Sequence, residues 1–244
     1  MTYSKQRARP LPTVAIALVV AAIGLVAGVA LSLGAIVVLS ALGFSLAATQ
    51  LLVISLVMTQ GLAFGGVALL YLRFRGLPSS FIGARIPTLG DLGWVVGGYI
   101  AAILAALLGG VLIVLTGVQA ASNQAAEFGI ENPEALLLLI PASFLLIGPG
   151  EELLFRGVVQ GTIRKALGPV PGVVLASAVF AAIHFFALTG GASARFVSIG
   201  ILFLPALVFG FAYERTGNIV VPSLIHGTYN ATLFSLLYLS LQFG

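Results

Sequence analysis

The chain contains no cysteine and few charged residues. Of its 244 residues, 7% are Asp, Glu, Lys or Arg and 60% are hydrophobic. The absence of cysteine excludes disulfides, thiolate metal ligands and a cysteine nucleophile. Soluble domains carry roughly 25% charged residues and disordered chains are polar and charge-rich, so the composition excludes both classes. The net charge is +4, but the basic residues are scattered, and we expect no nucleic-acid partner.

Long apolar runs dominate the rest of the sequence. No charged residue occurs between Arg9 and Arg73, an interval that accommodates two membrane crossings of about 20 residues each. The first run exceeds the roughly 7–15 residues of a cleavable signal core, so we interpret it as a retained helix. The sequence predicts an all-α polytopic transmembrane bundle of about seven spans (six to eight), forming one integral membrane domain over residues 1–244. The expected spans are 13–40, 46–72, 92–118, 134–163, 170–188, 197–213 and 219–241.

Basic residues fall in every second loop, a pattern that predicts which loops lie in the cytosol. The loop between the third and fourth spans carries Glu127, Glu131 and Glu134 and no Lys or Arg. Arg195 is the one basic loop residue that falls on that same side. The sequence therefore predicts a cytosolic N-terminus. The basic residues assigned to the cytosolic side are Lys5, Arg7, Arg9, Arg73, Arg75, Arg85, Arg164, Lys165 and Arg215.

Three of the expected spans contain polar side chains that are costly in a bilayer. A charge at the centre of a membrane helix costs at least ~2.5 kcal/mol on insertion scales, so it is rare without a purpose. At about 1.5 Å per residue, Glu151, His184, His226 and Asn230 lie roughly 15–21 Å from the cytosolic ends of their helices. Groups on three helices at one depth indicate a site, which we expect to be open to the cytosol or to lipid. They are Glu151, Glu152 and Arg156 in span four, His184 in span five, and His226 with Asn230 in span seven.

Spacing within the spans supports this grouping. Glu152 and Arg156 are four residues apart, so they share a helix face and can form an ion pair. His226 and Asn230 have the same spacing and project the same way. A Gly-Pro-Gly segment at 148–150 predicts a break or kink in the helix. If the helix restarts there, Glu151 lies in its first turn, where the helix dipole favours a carboxylate.

These residue types are suited to hydrolysis of an acyl bond. One carboxylate and two imidazoles form a common ligand set for catalytic zinc, with a fourth position left for water. A carboxylate alone can also act as a general base on water, assisted by a histidine. Asparagine and histidine can donate hydrogen bonds to an oxyanion. The sequence lacks the H-E-x-x-H pattern of soluble zinc proteases and the G-x-S-x-G of serine hydrolases.

Three short motifs resemble those of a known family. EELLFRG at 151–157 is similar to the E-E-x-x-x-R motif of the CAAX protease and bacteriocin-processing family (CPBP, or Abi) of intramembrane proteases. FAAIH at 180–184 resembles that family's F-x-x-x-H motif, and HGTYN at 226–230 its H-x-x-x-N motif. The resemblance implies a catalytic core over 134–241. It also implies a CAAX-type prenyl endopeptidase-like (metallo)protease whose partner is a membrane-associated or lipidated protein or peptide.

The resemblance also implies roles for the motif residues. Glu151 would activate the attacking water together with His184, and the second glutamate would pair with Arg156 and hold the site. His226 and Asn230 would stabilise the oxyanion, or His226 would join Glu151 and His184 as ligands of a Zn2+ ion. The family is commonly described as metal-dependent, yet a metal-free glutamate mechanism has also been argued for it, and both stay open. We expect the protein in the cell membrane of a prokaryote.

Two other functions fit parts of the sequence. Glu and His inside a helix bundle are also the components of a proton relay, and a broken helix is a transporter trait. However, the sequence has no inverted repeat. The second alternative is a non-catalytic membrane partner or immunity protein that keeps the fold and acts by binding. The substrate, the oligomeric state and the need for metal do not follow from the sequence.

Overall fold

A computed structural model describes residues 10–244, which form helices and the loops between them. The basic N-terminal residues Lys5, Arg7 and Arg9, which contribute to the predicted orientation, lie outside the described residues. A 3-10 turn at Ser79–Phe81 lies in the loop between α2 and α3. The helices are α1 Pro10–Ala41, α2 Ala48–Phe74, α3 Leu89–Thr116, α4 Gln124–Glu131, α5 Pro133–Leu167, α6 Pro169–Ala187, α7 Ala192–Thr216 and α8 Val220–Phe243.

Most of these helices are long enough to cross a membrane. Within the described range, α1, α2, α3, α5, α6 and α7 are both long and apolar enough. Helix α8 has 24 residues, which suffices for a crossing of about 20 residues, but His226 and Asn230 make it more polar. The all-α polytopic prediction is therefore confirmed, and the chain is a multi-pass membrane protein.

Hydrogen bonds between loops show which helix ends share a side of the bundle. The backbone N–H of Thr189, between α6 and α7, donates to the Ser122 carbonyl in the loop between α3 and α4 (3.0 Å). At the opposite ends, Nη2 of Arg85 donates to the carbonyl of Thr216 (3.2 Å), which joins the α2–α3 loop to the end of α7. We call the first side the acidic side, because it carries the three glutamates near α4, and the second the basic side.

Helix α5 passes through the core without the break that the sequence predicts. Residues Gly148–Glu152 are α-helical and lie between two wide π-helical segments, Ser143–Ile147 and Leu153–Gln160. Pro149 has no N–H to donate, and a wide turn just before it accommodates the missing hydrogen bond without ending the helix. A break with a restart of the helix is therefore not found, and the alternative of a kink stays a prediction. Glu151 lies inside a continuous helix, so other groups must stabilise its carboxylate.

Candidate active site

The predicted site residues converge on one cavity inside the bundle. Its volume is about 360 Å³, and Glu151, His184, His226 and Asn230 all line it. Glu152 is adjacent to these residues and fully buried. The three motifs therefore meet in space, as the matching depths of spans four, five and seven predict.

Glu152 connects two of the motifs through its two carboxylate oxygens. Oε2 accepts a hydrogen bond from Nε of Arg156 at 3.0 Å, and both side chains have no exposed surface. Oε1 lies 2.9 Å from Nδ1 of His226. A carboxylate can only accept in its ionised form, so Nδ1 carries the proton. Glu152 is thus fully paired, which is the condition for keeping a charge inside a low-dielectric core.

Arg156 extends this network to two further helices. Its Nη1 donates to Oγ of Ser177 on α6 at 3.1 Å, and that hydroxyl donates to the backbone carbonyl of Ala206 on α7 at 3.0 Å. The guanidinium carbon also lies 5.1 Å from the centre of the Phe180 ring, within the range of a cation–π contact. Arg156 therefore fixes the position of Glu152 relative to α6 and α7.

The adjacent carboxylate, Glu151, has a different environment. Its Oε1 accepts a hydrogen bond from Nε2 of Gln60 on α2 at 2.9 Å. Its Oε2 has no hydrogen-bond partner within residues 10–244 and lies 3.8 Å from Nε2 of His226. That distance is too long for a hydrogen bond, but one shared water can bridge such a pair. One oxygen of Glu151 is therefore anchored, while the other is buried and has no hydrogen-bond partner among the described residues.

The ring of His226 is held in one orientation. It stacks on Phe209 with centres 4.8 Å apart and 19° between the planes, and it lies edge-on to Phe180 at 5.8 Å. Since Nδ1 is committed to Glu152, Nε2 faces Glu151 and is a hydrogen-bond acceptor when the ring is neutral. A carboxylate that binds one ring nitrogen of a histidine commonly fixes the tautomer and the orientation of the ring, while the other nitrogen faces the reacting group.

His184 and Asn230 line the cavity from α6 and α8. His184 begins the 3-10 turn that ends α6, and its Nδ1 donates to the carbonyl of Phe180 at 2.8 Å. The side-chain amide of Asn230 makes no hydrogen bond to another residue in the described range, so its N–H groups are free to meet a ligand. The resemblance implies that Glu151 works with His184. The structure places Nε2 of His226 3.8 Å from Oε2 of Glu151, and His184 lines the same cavity, so the joint role of Glu151 and His184 stays a prediction.

The predicted zinc ligands are not arranged as a three-ligand set. A catalytic zinc needs about three protein ligands and one open position. Glu151 and His226 lie close together, and both histidines use Nδ1 in a hydrogen bond, which leaves Nε2 as the possible ligand atom. Within residues 10–244, no group of three or more His, Cys, Asp or Glu side chains could hold a metal ion. The residues therefore do not fit a zinc site in this arrangement, and a metal requirement stays a prediction.

The cavity extends from the two glutamates toward the acidic side. Its walls include Leu52 and Leu56 near the start of α2, Ala125 of α4, and Leu233 and Phe234 on the second half of α8. Toward the basic side, the cavity is closed by residues of α5 that have no exposed surface, such as Phe155 and Val159. If the basic loops are cytosolic, as the sequence predicts, the cavity points away from the cytosol. The opening of the site to the cytosol or to lipid stays a prediction.

Sequence reasoning missed two polar residues that contact the site. Gln60 binds Glu151 from α2, and Ser177 binds Arg156 from α6. Neither belongs to one of the three motifs. A glutamine within an apolar span is costly unless it is paired, and that cost is the signal that could have identified Gln60.

The fold and the site define a class: a polytopic helical membrane protein with a buried network of two glutamates, an arginine and a histidine beside an internal cavity. A family model described as type II CAAX prenyl endopeptidase Rce1-like matches residues 133–232. This match is consistent with the resemblance to the CPBP family that the motifs predict. The matched segment is less than half of the chain but includes all six predicted site residues. Comparison with curated proteins and with solved structures gave no significant match.

Proposed function

We propose that this protein is an intramembrane endopeptidase in which Glu151 activates water for hydrolysis of a peptide bond. One observation carries the proposal. Oε2 of Glu151 has no hydrogen-bond partner within residues 10–244 and lies in the cavity wall 3.8 Å from Nε2 of His226. Both groups are hydrogen-bond acceptors when Glu151 is ionised and His226 is neutral. They can therefore hold one water by its two hydrogens and leave its oxygen free to attack.

The attack step follows from this arrangement. The water oxygen bonds to the carbonyl carbon of the substrate while Oε2 of Glu151 takes one of its protons. The negative charge then develops on the former carbonyl oxygen. Asn230, one helical turn beyond His226, lines the same cavity and presents an amide donor to that oxygen. This is the role that the family resemblance implies for Asn230.

Collapse of the tetrahedral intermediate returns the proton. The bond between carbon and nitrogen breaks, and Glu151 gives its proton to the leaving amine, so that the carboxylate is regenerated. The products are a new carboxyl terminus and a new amino terminus. His184 lines the cavity with Nδ1 bonded to Phe180, which leaves Nε2 directed to contact the substrate or the water.

Glu152 and Arg156 serve as positioning residues in this mechanism. Their ion pair is fully buried and holds Nδ1 of His226 at 2.9 Å. Because Glu152 uses both oxygens in these contacts, it has none left to activate water. The two adjacent glutamates are therefore assigned different tasks by their partners.

The shape and lining of the cavity support a proposal for the substrate class. Beyond the polar groups, its walls are largely apolar and come from α2, α5 and α8, including Leu52, Leu139, Leu233 and Leu237. Such walls favour a substrate that brings an apolar segment or a lipid with it. We propose a membrane-associated or lipidated protein or peptide that enters the cavity from the acidic side.

A cleavage assay with purified protein tests the proposal. The probe is a fluorogenic peptide that ends in a prenylated cysteine followed by three residues, presented in detergent micelles. We expect the wild type to cleave it and the variants Glu151→Gln, His184→Ala and His226→Ala to lose cleavage while remaining folded. The variant Arg164→Met serves as the control, because Arg164 lies outside the cavity and is 56% exposed. Normal cleavage by Glu151→Gln would contradict the mechanism.

A further inference from the structure

Gln60 is a polar residue inside an apolar helix that contacts the active-site carboxylate from outside the family-matched segment. It lies in the wide π-helical part of α2, Val57–Gly65, and its Nε2 donates to Oε1 of Glu151 at 2.9 Å. Its own Oε1 is buried and has no hydrogen-bond partner within residues 10–244. The hydrogen bond from Nε2 of Gln60 to Oε1 of Glu151 therefore orients the amide.

The packing of α2 against α5 brings Gln60 to this position. A Cβ atom added at Gly150 would lie 2.2 Å from the backbone oxygen of Gln60 and 2.9 Å from its carbonyl carbon. Those separations are far shorter than van der Waals contact, so only glycine lets the two backbones approach so closely. The second glycine of the Gly-Pro-Gly segment thus acts as the contact point for Gln60, next to the carboxylate that Gln60 binds.

A neutral donor has a chemical advantage at this carboxylate. An arginine or lysine would form an ion pair with the carboxylate and weaken it as a base. A glutamine amide donates one hydrogen bond without adding charge. It fixes the orientation of the carboxylate through Oε1, so that Oε2 faces Nε2 of His226. The two adjacent glutamates thus differ in function because one is bound by an amide and the other by a guanidinium.

We propose that Gln60 is a positioning residue that holds Glu151 with one oxygen fixed and the other directed at the water. The proposal rests on the proposed function, in which Glu151 is the general base. It adds α2 to the functional unit, although the family match begins at residue 133.

The kinetic test replaces Gln60 by a side chain of the same length that cannot donate. We expect Gln60→Met to lower kcat on the prenylated peptide probe by roughly ten- to a hundredfold, the range expected when a hydrogen bond to a charged group is lost. KM should change less than kcat, because the hydrogen bond of this amide goes to Oε1 of Glu151. Gln60→Asn, whose amide is one methylene shorter, should also lose rate. The control Thr59→Val removes the neighbouring hydrogen bond to Ser32 and should keep wild-type rates. Unchanged kcat in both Gln60 variants would overturn the proposal.

An infrared measurement tests the same contact without any substrate. The carboxylate stretching band of Glu151 is identified as the band that disappears in Glu151→Gln. Its frequency depends on hydrogen bonding, so we expect it to shift in Gln60→Met and to stay in place in Thr59→Val. A band that does not move in Gln60→Met would refute the contact. If the wild type fails to cleave the probe, the proposed function fails, and the infrared shift still decides the position of Gln60.

Discussion

Replacing Arg156 by methionine should destabilise the protein strongly. Arg156 and Glu152 form an ion pair in which both side chains have 0% exposure, and Arg156 also binds Ser177 on α6. Removal of one partner leaves an uncompensated buried charge, at a cost of about 3–5 kcal/mol. For a chain of this size, that corresponds to a loss of roughly 6–20 °C in the unfolding temperature. The assay is thermal unfolding of the purified protein in detergent.

Two comparisons isolate the buried charge as the cause. Arg164→Met removes another arginine of the same helix from an ion pair, with Glu214, but Arg164 is 56% exposed. Exposed pairs contribute about 0–1 kcal/mol, so this control should unfold near the wild-type temperature. The double variant Glu152→Gln with Arg156→Met removes the unpaired charge and should regain part of the loss. Equal unfolding temperatures for Arg156→Met and Arg164→Met would refute the reasoning.

Three further results are expected. Asn230→Ala should lower kcat by roughly 10²–10³-fold, as for the loss of one oxyanion donor, and should leave KM nearly unchanged; an unchanged kcat would remove this residue from the mechanism. Gly150→Ala should reduce the yield of folded protein, because the added Cβ would collide with α2. Gly110→Ala should behave like the wild type, because nothing lies within 4 Å of a Cβ added there. Equal yields of the two variants would contradict the close packing of α2 against α5. Since the chain has no cysteine, the single variants Val118→Cys and Arg75→Cys report the two sides of the membrane separately. A membrane-impermeant maleimide applied to whole cells should label only the cysteine at position 118. Labelling only at position 75 would reverse the predicted orientation.

Much of the site follows from the sequence because membrane insertion makes its residues conspicuous. Ionisable groups in apolar spans are costly, so Glu151, Glu152 and His226 stand out without any structure. Equal depths in three spans predict that they meet, and they line or adjoin one cavity. The ion pair of Glu152 with Arg156 also follows from their spacing, since it depends only on helix geometry.

The remaining features depend on packing between distant segments. Gln60 and Glu151 are 91 residues apart, and no local pattern indicates which face of α2 meets α5. The choice between His184 and His226 as the neighbour of Glu151 depends on the rotation of α6 and α8, which spacing along one helix does not fix. The continuous course of α5 through Pro149 depends on its wide π turns, which no local sequence pattern predicts.

In the proposed function, Glu151 drives proteolysis in the membrane. The most direct measurement compares new protein termini in membranes from cells that carry the wild type or Glu151→Ala at equal expression. We expect a set of termini that appears only with the wild type and that lies in membrane-associated or lipidated proteins. Such termini would identify the substrate and the cleavage position together. Identical termini in the two strains under all growth conditions would contradict the claim and favour a protein that acts by binding.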